Sequence, residues 1–231
     1  MDDQKKDSSK KEKIQQKSAL NHEAHILDIA YPRVFVLRGL QLETASGVFR
    51  PEEKGTTMLL ADHLPAPERP QARALDMGCG SGALAITMGR QGYTVVATDK
   101  DIRCCAVTRR NARRNDVTVD VRHAPFWDGL RGEPPFDLIV SDLPLWDKPI
   151  ESPEEESLCD PGGAFLLRFL AGLDHHLSPQ GLALFTHSNA AVPLPTPWAR
   201  RARVLQVQNQ RFDFLVSVMA IRGREYQGAA D

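Results

Sequence analysis

Cysteine is scarce and unpaired in this chain of 231 residues: Cys79, Cys104, Cys105 and Cys159 include no C-x-x-C spacing, and two of them are adjacent. That excludes a disulfide-stapled secreted fold and a zinc-type site, and all four read as reduced, small, buried thiols of a cytoplasmic protein. No apolar run reaches the length of a membrane span. Charge of one sign is missing too, since 29 Lys and Arg against 30 Asp and Glu leave a formal net charge of -1. A nucleic acid or an anionic membrane would therefore have to be met by a local patch. Aromatic residues make up only 6% of the chain, and no aromatic-interleaved basic motif of an RNA-binding module is present. Residues 1–18 contain hardly an apolar side chain among six lysines and four acids, which excludes a secretory signal and predicts a disordered charged tail.

What is there is organised. Residues 19–70 read as a small cap: a helix over 19–30, where His22 and His25 lack any acid or thiol cluster to complete a metal site, then short strands at 34–37 and 40–42 and a helix at 56–61. Pro65, Pro67 and Pro70 form a linker to the main domain, 71–223, and residues 224–231 form a flexible end. In that domain the spacing predicts strands at 73–77, 93–98, 117–122, 136–141, 182–187, 203–209 and 213–220, with helices at 81–90, 101–115 and 163–177. Such alternation means an α/β fold: a doubly wound, seven-stranded, mostly parallel sheet with helices on both faces. Too few residues separate the last two strands for a crossover, so the last strand runs antiparallel.

Ala74-Leu75-Asp76-Met77-Gly78-Cys79-Gly80-Ser81-Gly82 is an apolar strand that ends in an acid and three alternating glycines, which let the backbone pass close to a nucleotide-sized ligand. The next strand, Tyr93 to Asp99, ends in a second acid 23 residues after Asp76, placed to accept both ribose hydroxyls of an adenosine. The fourth strand delivers Ser141-Asp142-Leu143-Pro144-Leu145-Trp146 to the same sheet edge, where ligands of open α/β sheets bind. Pro144 biases Leu143 toward extended backbone and so helps to aim its carbonyl.

Together these residues resemble the class I S-adenosylmethionine-dependent methyltransferases from about Ala19 to Arg222. Asp76 to Gly82 is similar to that family's D-x-G-x-G-x-G loop, and Asp99 falls at its ribose-binding acid. Arg109 to Asn115 and FDLIVSDLPLW resemble the N-methyltransferase branch that includes the release-factor glutamine and ribosomal RNA base methyltransferases, whose fourth strand ends in (N/D/S)-P-P-(Y/F/W). Gly47 to Leu60 is similar to that branch's closing segment, and Asp160-Pro161-Gly162-Gly163 adds a lesser match.

The resemblance implies S-adenosyl-L-methionine as cofactor, held by Asp76, Gly78, Gly80, Gly82, Asp99, Thr57, Pro125, Phe126 and Ser141. It implies Asp142 and the Leu143 carbonyl as acceptors for a planar NH2 group, with Pro144 and Trp146 shaping the catalytic pocket. Three departures stand out. Leu143 replaces the motif's first proline, and Leu145 replaces its aromatic, so Trp146 or Trp127 has to supply any stacking surface. Ala124-Pro125-Phe126-Trp127 occupies the site where relatives carry an acid for the adenine amine; Asp128 is a substitute or a turn cap. The expected reaction is methyl transfer to a planar nitrogen of a small molecule or amide. An RNA base N-methyltransferase is the alternative, through an arginine stripe at Arg109, Arg110, Arg113 and Arg114 to which Arg200, Arg201 and Arg203 add; a non-catalytic cofactor-binding scaffold is the third reading.

Overall fold

The computed structural model describes residues 34–211 and 214–224. The charged tail, the 19–30 helix with its two histidines and the chain after residue 224 lie outside them. In chain order the elements are β1 (Val34–Leu37), β2 (Leu40–Glu43), α1 (Thr56–Ala61), β3 (Arg73–Met77), α2 (Ala83–Gln91), β4 (Thr94–Asp99), α3 (Ile102–Arg114), β5 (Val119–His123), β6 (Phe136–Ser141), α4 (Ala164–His176), β7 (Leu177–Ser188), α5 (Thr196–Ala199), β8 (Arg203–Arg211) and β9 (Phe214–Arg222). β1 and β2 form an antiparallel hairpin. The other seven make one sheet in the order β5-β4-β3-β6-β7-β9-β8.

β3 through β7 pair parallel, and β9 is antiparallel both to β7 and to β8, the latter as the short connection between them requires. Central strands buried on both faces are near-continuous apolar runs. Alternate residues serve the two sides: Ala74, Leu138 and Val140 pack with α1, α2 and α3 residues such as Leu60, Leu84 and Cys105. Leu75, Met77 and Ile139 pack instead with Leu166, Phe169 and Leu173 of α4. Leu59, Leu60 and Leu64 share the main core, so α1 packs against the sheet through that cluster.

β7 begins earlier than residue 182. Phe136 pairs with Leu177, the register then shifts, and the continuous ladder starts at Leu138 with Leu182. The intervening Ser178-Pro179-Gln180-Gly181 reads as a turn because its composition is that of a turn.

Strand order reverses at β3, whose neighbours are β4 on one side and β6 on the other. A crevice opens at such a switch point beyond the strands' carboxyl ends. Asp76, Asp99 and Asp142 all reach it.

Candidate active site

A cavity of about 650 Å³ occupies that crevice, well within the range of roughly 300–1,000 Å³ typical of small-ligand sites. Its floor is the glycine loop. Gly78, Gly80 and Gly82 have φ of 75°, 51° and 82°, which side chains tolerate poorly. A Cβ on Gly82 would meet the Thr108 side chain at 2.8 Å, whereas one on Gly80 would stand in open space with nothing within 4 Å. Gly82 thus serves packing against α3, and Gly80 keeps the floor clear for a ligand.

Two acids flank the loop. Asp76 is 1% exposed, and its Oδ2 accepts from the Ala85 N–H in the first turn of α2 at 2.9 Å. Burial, with Asp99 and Asp142 nearby, pushes its carboxyl up to about 7 against that N–H bond. Asp99 accepts from Gly80 N–H at 3.0 Å and from Asp101 N–H at 2.9 Å. Burial raises its pKa as well. Cys79 and Cys104 also border the cavity, but burial holds both thiols far above neutrality, so neither is a nucleophile.

Asp142 stands at the tip of β6. Its Oδ2 accepts from Thr57 Oγ1 at 2.6 Å and Thr56 Oγ1 at 3.1 Å, both on α1, and its Oδ1 accepts from Thr186 Oγ1 at 2.9 Å. Burial raises the carboxyl's pKa while the three hydroxyls pull it down. Three of about four lone-pair sites on the carboxylate are thereby filled. The Leu143 N–H donates to the same Thr186 oxygen at 2.8 Å. Beyond it, Leu145 and Trp146 N–H donate to Leu158 O at 2.9 and 3.1 Å, and Asp160 N–H returns to Trp146 O at 2.7 Å.

Of the residues expected here, Asp76, Gly78, Gly80, Asp99, Thr57, Phe126, Asp142, Leu143, Pro144 and Trp146 border the cavity. Gly82, Pro125 and Ser141 stand outside its lining. Pro125 is exposed. Ser141 is buried and its hydroxyl donates to Met77 O at 2.8 Å, tying β6 to β3. Thr57 turns its hydroxyl to Asp142. Trp127 is drawn away: its indole N–H donates to Arg168 O at 2.8 Å and its ring stacks on His176 at 4.5 Å. Gly172 makes that seat, since a Cβ there would run into the Trp127 indole. Trp146 stays in the lining, stacked on Phe214 at 5.3 Å. Asp128 is exposed and opens a 3-10 turn outside the lining. Phe126 has φ of +50° with Arg168 over its ring at 4.0 Å, a strained position for a bulky residue. Thr186, Phe165 and Phe214 were not foreseen; each is an ordinary strand or helix residue with no local signal.

Three of the four stripe arginines are engaged with the protein itself, and Arg113 stands exposed. Arg110 and Arg114 both clasp Glu43, and Arg109 donates to Val121 O at 2.6 Å. Arg201 pairs with Asp174 at 2.8 Å beside edge strand β8, while α3 lies over β4 and β5 at the opposite edge. Five to six strand spacings, roughly 24–29 Å, therefore separate Arg203 from the stripe that it was expected to extend.

An open floor above Gly80, two acids and an apolar aromatic wall fit a nucleoside with a cationic tail. Comparison with known proteins agrees. Residues 39–154 match the family described as methyltransferase small domain. A ribosomal protein L11 methyltransferase of Thermosipho africanus is 36% identical over 89 residues, 38% of this chain and 34% of the relative. A ribosomal RNA small subunit methyltransferase C of Chromohalobacter salexigens is 36% identical over 115 residues, 48% of this chain and 34% of the relative. The chain spans about a third of the length of these curated relatives. Among solved structures, a T. thermophilus 16S rRNA N2 methyltransferase in complex with AdoMet and guanosine superposes with a TM-score of 0.64 at 19% identity, over 84% of this chain and 50% of that one. An L11 methylase of Lactobacillus delbrueckii subsp. bulgaricus gives 0.53 at 20% identity, over 76% of this chain and 82% of that one. At these identities the two structures speak for the fold.

Proposed function

We propose, for a chain that belongs to the methyltransferase small domain family, that the cavity takes S-adenosylmethionine and that its methyl group is moved to a planar NH2 nitrogen of an RNA base. The observation that carries this reading is the Asp142 carboxylate, held beside Leu143 at the rim of the glycine-loop cavity. The cofactor supplies an electrophilic methyl carbon on a sulfonium. Asp99 would accept ribose hydroxyls of the bound cofactor, and Asp76 would supply negative charge for its cationic end. Asp142, with one lone pair left, accepts one N–H of the acceptor; the Leu143 carbonyl accepts the other. Both bonds turn the nitrogen lone pair toward the methyl carbon and draw electron density onto nitrogen as the bond forms. Asp142 need not remove a proton before attack, because that proton can leave afterwards.

The choice of an RNA base draws on the relative that methylates ribosomal RNA, as its name states, over 48% of this chain. It displaces the small-molecule or amide acceptor to second place. That second reading keeps one observation in its favour: Arg109, Arg110 and Arg114 of α3 are engaged within the chain, which leaves only exposed Arg113 of the stripe to hold phosphates.

Labelled S-adenosylmethionine offered to RNA, protein and small-molecule pools separates these readings. Label recovered as an N-methylated nucleoside is expected; label confined to the small-molecule or protein pool would sink the RNA acceptor. Asp142→Ala should lower transfer by about 1,000-fold or more while cofactor binding survives. Any turnover removes the scaffold reading.

A further inference from the structure

We propose that Thr186 is the positioning residue that fixes both acceptors of the methylated nitrogen, the Asp142 carboxylate and the Leu143 carbonyl, through one buried hydroxyl. The proposal rests on the methyl-transfer reading of the cavity. The parallel ladder between β6 and β7 ends at Ser141 with Phe185. One residue further β6 leaves the sheet toward the cavity, and there a side chain takes over from the ladder. Thr186 is fully buried. Its oxygen accepts the Leu143 N–H at 2.8 Å and lies 2.9 Å from Asp142 Oδ1 and 3.3 Å from Leu143 O. A hydroxyl has one proton, and the nearer, charged acceptor takes it.

One Thr186 oxygen therefore pins both the Asp142 carboxylate and the Leu143 N–H. Shifting the backbone at Leu143 breaks the bond to its N–H, and swinging the carboxylate breaks the bond to Oδ1; the Leu143 carbonyl lies one torsion further on, in the peptide to Pro144, and that proline holds the torsion extended. The α1 threonines cannot substitute, because Thr56 and Thr57 both act on Oδ2 and neither reaches Leu143. They also back each other up. Thr186 has no such partner, which predicts an order of importance that mere proximity to Asp142 would not.

The test compares Thr186→Val, Thr186→Ser and Thr57→Val in labelled methyl transfer at saturating cofactor, with cofactor affinity measured by calorimetry. Valine keeps the volume and removes the hydroxyl. The expected result for Thr186→Val is a kcat lowered about 100-fold, the scale of a ~1 Å misplacement at a reacting centre, with cofactor Kd within about threefold of wild type. Thr186→Ser should stay within about tenfold of wild-type kcat, and Thr57→Val should lose less than Thr186→Val does. Wild-type kcat in Thr186→Val, or a serine variant as poor as the valine one, overturns the proposal. Should the valine variant not fold, Thr186→Cys keeps the volume with a weaker donor; an intermediate kcat supports the proposal and an undiminished one overturns it.

If no pool takes label from the wild-type protein, the methyl-transfer reading fails on its own. The pinning is then read by carbon-13 titration of Asp142, whose neighbours are the Thr56, Thr57 and Thr186 hydroxyls and, as the facing charge, the Asp76 carboxyl. Loss of the Thr186 donor should raise the Asp142 midpoint, with Thr186→Ser unchanged. An unmoved midpoint in Thr186→Val overturns the proposal without reference to activity.

Discussion

Asp76 is a carboxyl that the fold charges only at a cost. Buried and facing Asp99 and Asp142, it is pushed from 3.8 up to about 7. Its contribution to stability is therefore fully present below the unfolded value of 3.8 and is lost as pH rises through about 7. A cationic ligand beside it favours the ionised form and relieves that cost. Binding of S-adenosylmethionine near pH 6.5 should thus release a proton, and affinity should weaken below pH ~7 by up to about tenfold per pH unit. Calorimetry in two buffers with different ionisation heats checks this; identical heats would refute it, and Asp76→Asn should release no proton. Asp76 and Asp142 could be read from the chain because each is a polar break at the end of an apolar strand. Thr186 could not. In Leu184-Phe185-Thr186 a threonine is ordinary strand chemistry, and the carboxylate it holds lies 44 residues earlier.

The arginine- and asparagine-rich run on α3 has a meaning at the scale of elements that its composition conceals. Asn111, fully buried, donates to Glu43 O at 2.9 Å and Ser81 O at 2.8 Å and accepts from Glu43 N–H at 2.8 Å. Asn115 does the same for Gln41, accepting its N–H at 3.0 Å and donating to its carbonyl at 2.7 Å. The two asparagines act as a surrogate strand edge for β2. Burial pushes the Glu43 carboxyl up, but Arg110 and Arg114 bring its pKa below the usual value. At the hairpin's other end Arg38 reaches Asp62, Glu53 and the Met58 carbonyl, and so carries the hairpin's position to α1 and its two threonines. Helical spacing showed where α3 runs; it could not show that the polar face meets a hairpin 70 residues away rather than phosphates. Asn111→Ala leaves three buried backbone groups without partners and should cost about 3 kcal/mol. Urea unfolding measures that, and a loss below ~1 kcal/mol would mean that water replaces the asparagine.

For the whole molecule, alternation of strand and helix was enough to place a doubly wound sheet, because a parallel strand buried on both faces must read as an unbroken apolar run between amphipathic helices. Strand order decides what the charges can do together. α3 and β8 stand at opposite edges of a seven-stranded sheet, so their arginines cannot form one surface. Around the cavity mouth Lys100 pairs with Glu156 at 2.7 Å and Arg103 with Asp101 at 2.6 Å. Arg50, over the Phe35 ring at 4.3 Å, and exposed Lys54 border the same mouth. If an RNA base enters there, its flanking phosphates meet those two cations, not the arginine stripe of α3. Each phosphate contact to a single strand contributes about -0.7 to the slope of log K against log salt concentration. Replacing Arg50 and Lys54 together by alanine should therefore flatten the measured slope by about 1 to 1.5, while replacing Arg110 and Arg114 should leave it within about 0.5 of wild type. Comparing the slopes as differences removes whatever the lysine-rich residues 1–18 contribute. A flattening of 1 or more on losing Arg110 and Arg114 would return the α3 arginines to the RNA and overturn their assignment to the hairpin clasp.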